Sequence, residues 1–227
     1  MSKNPSKTLP RVLTLVAGLL VLKVTVTVVL NYRHYFPPDF ESDFLHGREL
    51  YFWGTYRWAF YPHLVCGPVA LVLGLIGVSE QFRLRFPKWH RYVGRIQVFV
   101  VLFVVCPSGL WMAYRAEGGP IAAVGFAGMA IVTGASAGLG WRAALRRRFA
   151  EHRRWMWRCY LSLCSAAVLR LIAGLAAVAA VQGIWLEPLL AWVSWLLPLA
   201  AFELRGVLKR RLIPALPRVE PTAVAER

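Results

Sequence analysis

The chain has 227 residues, 58% of them apolar, and its 27 lysines and arginines against 11 acidic residues give a formal net charge of +16. Apolar runs of about 18 residues or more read as membrane spans, which excludes a soluble globular domain. The basic surplus falls in the loops between those runs, so it reads as the positive-inside bias of a membrane protein and excludes a nucleic-acid-binding surface.

The chain opens on Lys3, Lys7 and Arg11 and enters a first apolar run over residues 12–30, stopped by Asn31 and by Pro37 and Pro38. No small-residue cleavage site follows this run, so it is expected to be a retained helix and not a signal peptide. A long acidic and aromatic-rich segment comes next. In it Tyr51, Phe52, Trp53, Tyr56 and Trp58 read as an interfacial belt, with room for a short helix lying on the membrane. His34 and His46 sit in this segment without metal-ligand spacing and are expected to be solvated.

Five further spans follow, near 58–78, 92–114, 121–139, 157–181 and 185–204. Each is close to the roughly 20 residues that cross the hydrocarbon core. The fourth span of the six contains Gly134-Ala-Ser-Ala-Gly138, a GxxxG that favours close helix contact, and Pro107 and Pro198 are expected to kink their helices. The cysteines Cys66, Cys106, Cys159 and Cys164 form no CxxC pair or zinc spacing and read as small core residues. The fold expected is therefore all-α, a polytopic bundle of six transmembrane helices. Residues 1–57 hold the first helix and the aromatic segment, 58–182 a four-helix core, 183–213 the sixth helix and 214–227 a disordered tail.

Of the 27 basic residues, 21 fall in one alternating set of segments: the N-terminus, residues 83–95, residues 142–158 and the chain after Leu204. The opposite segments hold only Arg33, Arg48, Arg57 and Arg115. This asymmetry predicts a multi-pass protein of the bacterial inner membrane with both termini in the cytoplasm. Anionic lipids are the expected partners of the basic loops, at about 1 kcal/mol per charge.

Two of these basic loops nearly repeat one another. Arg83-Leu-Arg-Phe-Pro-Lys-Trp-His90-Arg91 and Arg146-Arg-Arg-Phe-Ala-Glu-His152-Arg153-Arg154 each place a His-Arg pair after a basic run and a phenylalanine, and Arg95 and Arg158 follow. His90 opens the third span and His152 precedes the fifth. Two helices running in the same direction would bring both imidazoles to one depth, a geometry suited to the iron of a b-type haem, with arginines for its propionates. The alternative is that each corner only anchors a loop to lipid phosphates.

Three ionisable residues lie deeper. At 1.5 Å per helical residue, Lys23 is about 18 Å along its helix from Arg11, Arg170 about 18 Å from Arg158, and His63 about 24 Å from Ser79. An unpaired arginine at such a depth costs at least about 2.5–3.5 kcal/mol, so these residues are expected to face the bundle interior. Ala166, Ala167, Ala173, Gly174 and Ala177 share the side of Arg170, which suits a close helix contact. The set His63, Lys23 and Arg170 reads as a site for an anionic or carbonyl-bearing ligand such as a quinone, a lipid head group or a haem propionate. Equally, Arg170 could cap kinked carbonyls while Lys23 snorkels. His63 has no second histidine at its depth, which weighs against a two-haem electron path across the membrane.

The run from His63, Gly67 and Gly74 through His90-Arg91-x-x-Gly94-Arg95, Gly118-Gly119 and Gly125-Phe126 to His152-Arg153-Arg154-Trp155-Met156-x-Arg158 and Leu169-Arg170 resembles a bacterial membrane-protein family. It is the family catalogued as domain of unknown function 2306. The resemblance covers about half the chain and implies a membrane location and no settled activity. The residues themselves hold no Walker loop, HExxH, GxSxG or intramembrane acid for a proton relay. A transporter would find two half-similar units here, spans two-three and four-five, in the same orientation, a duplication and not an inverted repeat. The reading that remains is a redox or cofactor-binding membrane protein, with b-type haem or a quinone held by His63, His90, His152, Arg91, Arg95, Arg153, Arg158, Arg170 and Lys23. The alternative is a transport or accessory protein that binds lipid or a small anion.

Overall fold

The structure, a computed structural model, describes residues 5–42 and 44–212. The expected tail at 214–227 lies outside the described residues, as do the side chains of Lys7 and Arg11. Seven helices make up the fold: α1 (Pro5–Leu30), α2 (Glu49–Val78), α3 (Glu80–Arg85), α4 (Pro87–Ala113), α5 (Gly119–Leu145), α6 (Phe149–Val178) and α7 (Leu186–Leu212). By length and composition, α2, α4, α5, α6 and the stretch Leu186–Leu208 of α7 can each cross a membrane, and no β-strand occurs among the described residues. The first expected span lies within α1, where side chains are described only in part.

The spans begin earlier than hydropathy suggested. α4 starts at Pro87 and α6 at Phe149, each adding a polar turn ahead of its apolar run. Proline at the first helical position gives up no intrahelical bond and presets φ, so Pro87 starts α4 directly. Ser79 caps the short α3 by accepting a bond from the Phe82 amide at 3.3 Å.

α2, α4, α5 and α6 pack together as the core expected from spans two to five, with α1 against α2 and α6, and α7 against α5 and α6. The face of α5 toward α6 is a stripe of small buried residues: Thr133, Ser136, Ala137, Gly140 and Ala143. Small side chains let helix backbones approach where no water drives association. The decisive glycine lies outside the GxxxG: a Cβ on Gly140 would meet Met156 Sδ at 2.8 Å, whereas one on Gly138 would meet nothing within 4 Å. Gly134 instead faces Cys106 on α4.

Prolines sit within three of the long helices, with different consequences. Pro107 is preceded by a π-helical turn over Val101–Val105, while Pro198 sits inside an unbroken α7. Pro68 lacks the N–H that would reach the Leu64 carbonyl, and the Tyr32 hydroxyl donates to that carbonyl instead. Burial pushes the Tyr32 phenol above its ordinary range, which keeps it a donor.

The aromatic segment differs from a simple interfacial belt. Leu45, Phe52, Tyr56 and Phe60 are buried in one cluster with Tyr35, Phe40, Tyr51 and Tyr61 around them. Trp53 and Trp58 remain exposed, as belt residues would be. Arg48, 6% exposed, fastens the cluster down. It donates to the carbonyls of Phe44 and Arg115 and pairs with Glu117 at 3.4 Å. The segment after α1, the α4–α5 connection and the start of α7 thus share one end of the bundle, since Gly118 also abuts Glu187 and Pro188. His34 pairs with Asp39 at 3.4 Å, and His46 is exposed.

Candidate ligand-binding site

At the opposite end the two His-Arg corners turn out to be structural repeats. His90 and His152 are each the fourth residue of their helix, and their amides make the same 2.9 Å bond to the residue before the helix, Phe86 and Arg148. Both side chains line one cavity of about 590 Å³ between α2, α4, α5 and α6. That volume falls within the range of about 300–1,000 Å³ common to small-molecule and cofactor sites. The His90 imidazole lies within electrostatic reach of His152 and Arg83. Arg91 and Arg95, both exposed, also line the cavity, which is otherwise walled mainly by apolar groups such as Leu73, Trp141 and Met156.

His152 is held in a defined tautomer. Its Nδ1 lies 2.9 Å from the carbonyl oxygen of Gly140. A carbonyl only accepts, so Nδ1 carries a proton and Nε2 is the nitrogen left free to gain or lose one. The absence of a side chain on Gly140 is what lets α6 come close enough for this bond. His90 differs: its Nδ1 is buried without a hydrogen-bond partner.

A third polar residue was not singled out from the sequence. Gln97 is 3% exposed, lines the same cavity, and its Oε1 has no partner. It stands two helical turns after His90, on the same face of α4, with Gly94 between them. Gln97 Nε2 and the Tyr160 ring occupy the space that a Cβ on Gly74 would fill, at 3.2 and 2.8 Å. A lone amide in an apolar span, on the face of a singled-out histidine, is the signal that could have found it.

The other sequence candidates go elsewhere. His63 stands apart from the two corners: its Nδ1 lies 3.0 Å from Ser108 Oγ, beside the π-turn, and Gly109 leaves room for the ring. Ser108 in turn donates to the Val105 carbonyl at 3.2 Å. Arg158 does not line the cavity. Its Nε donates to Glu203 Oε1 on α7 at 2.7 Å and its guanidinium covers the Trp155 ring at 4.3 Å, because the start of α6 faces the end of α7. Arg153 is exposed and outside the cavity lining.

Lys23 is exposed on α1, whose Val21 and Thr25 take the buried side. Arg170 keeps exposed area on the side of α6, donates to the Ala166 carbonyl one turn back at 3.0 Å, and lies within electrostatic reach of Tyr35, away from the two His-Arg corners. The reason is packing. The small-residue face at Ala166, Gly174 and Ala177 is left open, and a Cβ on Gly174 would meet nothing within 4 Å.

A smaller cavity of about 200 Å³ lies on the far side of α6, lined by Arg142, Arg146, Arg148, Glu151 and Trp155. Among the described residues no group of three or more His, Cys, Asp or Glu is placed to hold a metal ion. A protein-built polydentate metal centre therefore has no ligand set in the described part of the chain.

Apolar helices long enough to span, packed as one bundle and joined by arginine-rich turns, define a polytopic α-helical membrane protein. Residues 60–205 match the family model for DUF2306, described as a predicted membrane protein, and the chain belongs to that family. No curated protein and no solved structure matches it.

Proposed function

We propose that this protein binds a redox-active cofactor, a quinone or a b-type haem, in the cavity beneath the two His-Arg corners. The observation that carries this reading is the meeting of His90 and His152, from separate helices, in one cavity rimmed by Arg91 and Arg95. The Gly140 carbonyl behind His152 supports it further. A carbonyl on Nδ1 fixes the ring and leaves Nε2 for a ligand or a proton. Arginines at the rim suit carbonyl or carboxylate oxygens, and the apolar walls suit a ring or tail.

A second reading, binding of anionic lipid or a small anion, draws support from the cluster of Arg142, Arg146 and Arg148 at the smaller cavity. The absorption spectrum of detergent-purified protein separates the possibilities. A Soret band with reducible α and β bands establishes haem. A colourless preparation that yields extractable quinone establishes the quinone form. A preparation holding only phospholipid favours the second reading. We place the protein in the bacterial inner membrane with both termini and both His-Arg corners cytoplasmic, on the strength of the charge asymmetry.

A further inference from the structure

Resting on the cavity reading above, we infer that the occupant is a quinone/quinol and that Gln97 is the residue that selects it, with the ring seated against the bare backbone of Gly94.

Three features of α4 lead there. His90, Gly94 and Gln97 all line the cavity, and His90 and Gln97 are about 10.5 Å apart along the helix axis. A Cβ placed on Gly94 would meet nothing within 4 Å, so the wall between the two polar residues is an open, flat seat. Each of these two cavity-lining residues carries a buried polar atom without a hydrogen-bond partner, Nδ1 of His90 and Oε1 of Gln97. Buried polar atoms are almost always satisfied, so two orphans on residues of one cavity lining point to an occupant that meets both once the ring and the amide turn toward it.

The donor and acceptor chemistry decides which occupant. A lipid phosphate only accepts, and suits the arginines rather than an unpaired amide oxygen. A haem macrocycle offers no hydroxyl to Gln97. A quinol hydroxyl donates to Gln97 Oε1, and the quinone carbonyl accepts from the same amide after a half-turn of its terminal torsion. The imidazole of His90 has the same dual capacity. Amide and imidazole are therefore suited to a group whose oxygens change between donor and acceptor, and whose ring is flat enough for Gly94.

The test uses the full chain in lipid nanodiscs, with a decyl-tailed benzoquinone and its quinol as probes and decylbenzene as the oxygen-free control. Wild type should bind both probes and not the control. Gly94→Leu should fold normally, since the space is open, and lose at least tenfold in affinity. Gln97→Leu should also lose at least tenfold, yet the melting temperature of the empty protein should rise, because an orphaned buried acceptor is gone. A merely structural glutamine would lower it. Gln97→His should restore part of the affinity. Undiminished binding by Gly94→Leu or Gln97→Leu overturns the inference, and if one variant fails to fold the other decides. A wild type that shows a Soret band but binds neither probe overturns the quinol assignment and leaves the cofactor cavity standing. A wild type with no haem, no probe binding and no copurified quinone removes both.

Discussion

Single atoms account for much of how this chain is held. The Tyr32 hydroxyl takes over the Leu64 carbonyl that Pro68 leaves without its helical donor. Tyr32→Phe should therefore destabilise the protein by about 0.5–1.5 kcal/mol, the net worth of a hydrogen bond that is only part-buried. In a Pro68→Ala background the restored amide competes for that carbonyl, so the same tyrosine change should cost distinctly less. Denaturation of the four proteins in one detergent measures the coupling, and equal costs in both backgrounds would show that the tyrosine acts through something other than Leu64. At this scale the sequence was partly readable. The His-Arg corners stood out because polar residues flanking apolar runs are conspicuous, and both histidines do reach one cavity. Gln97 did not, because a lone amide within a span has many uses, and only the packed neighbours reveal which one applies; Gly94 was legible as part of a motif but not as part of a cavity wall. The small-residue face beside Arg170 is packed only in part, at Ala167, because such a face indicates that a helix can approach without determining how far the contact extends.

Helices were legible as elements and less so in their ends. Hydropathy marks the apolar middle of a span, whereas Pro87 and the Arg148–Phe149 junction set where α4 and α6 begin. The consequence is functional: the added polar turns place His90 and His152 inside their helices instead of in loops, and so fix their direction. Between elements, the Arg158–Glu203 pair ties α6 to α7. Both side chains retain contact with solvent or head groups, at 22% and 45% exposure, so the pair is a modest tie. Glu203→Gln should lower stability by about 0.5–1 kcal/mol, and Arg158→Met on top of it should cost only the stacking of the guanidinium on Trp155, again about 0.5–1 kcal/mol. A thermal melt in low and high salt checks this: the loss should shrink as salt rises. Since Arg158 lies outside the cavity, neither change should alter binding of the proposed ligand.

For the whole molecule, the small number of membrane-compatible arrangements made the fold class readable from composition alone. Loop pairing follows the charge asymmetry: the arginine-poor connections gather at one end and the His-Arg corners at the other. Cysteine labelling of His46→Cys and Gln81→Cys, both exposed positions, should report opposite sides of the membrane, with Gln81→Cys reached from the cytoplasm. Labelling of both from one side would remove the six-span topology. Packing between loops was not legible, because contact partners far apart in sequence leave no periodic trace. Arg48 is the clearest case. Its carbonyl and carboxylate partners, Arg115 and Glu117, are made 67 and 69 residues after it. At about 5–20 residues per second of synthesis, that is a wait of about 3–14 s. During that time Arg48 has only its local partners, the Phe44 carbonyl and the Tyr51 hydroxyl. This end of the bundle is therefore complete only once the α4–α5 connection has been made, because local folding around Arg48 does not supply Arg115 and Glu117.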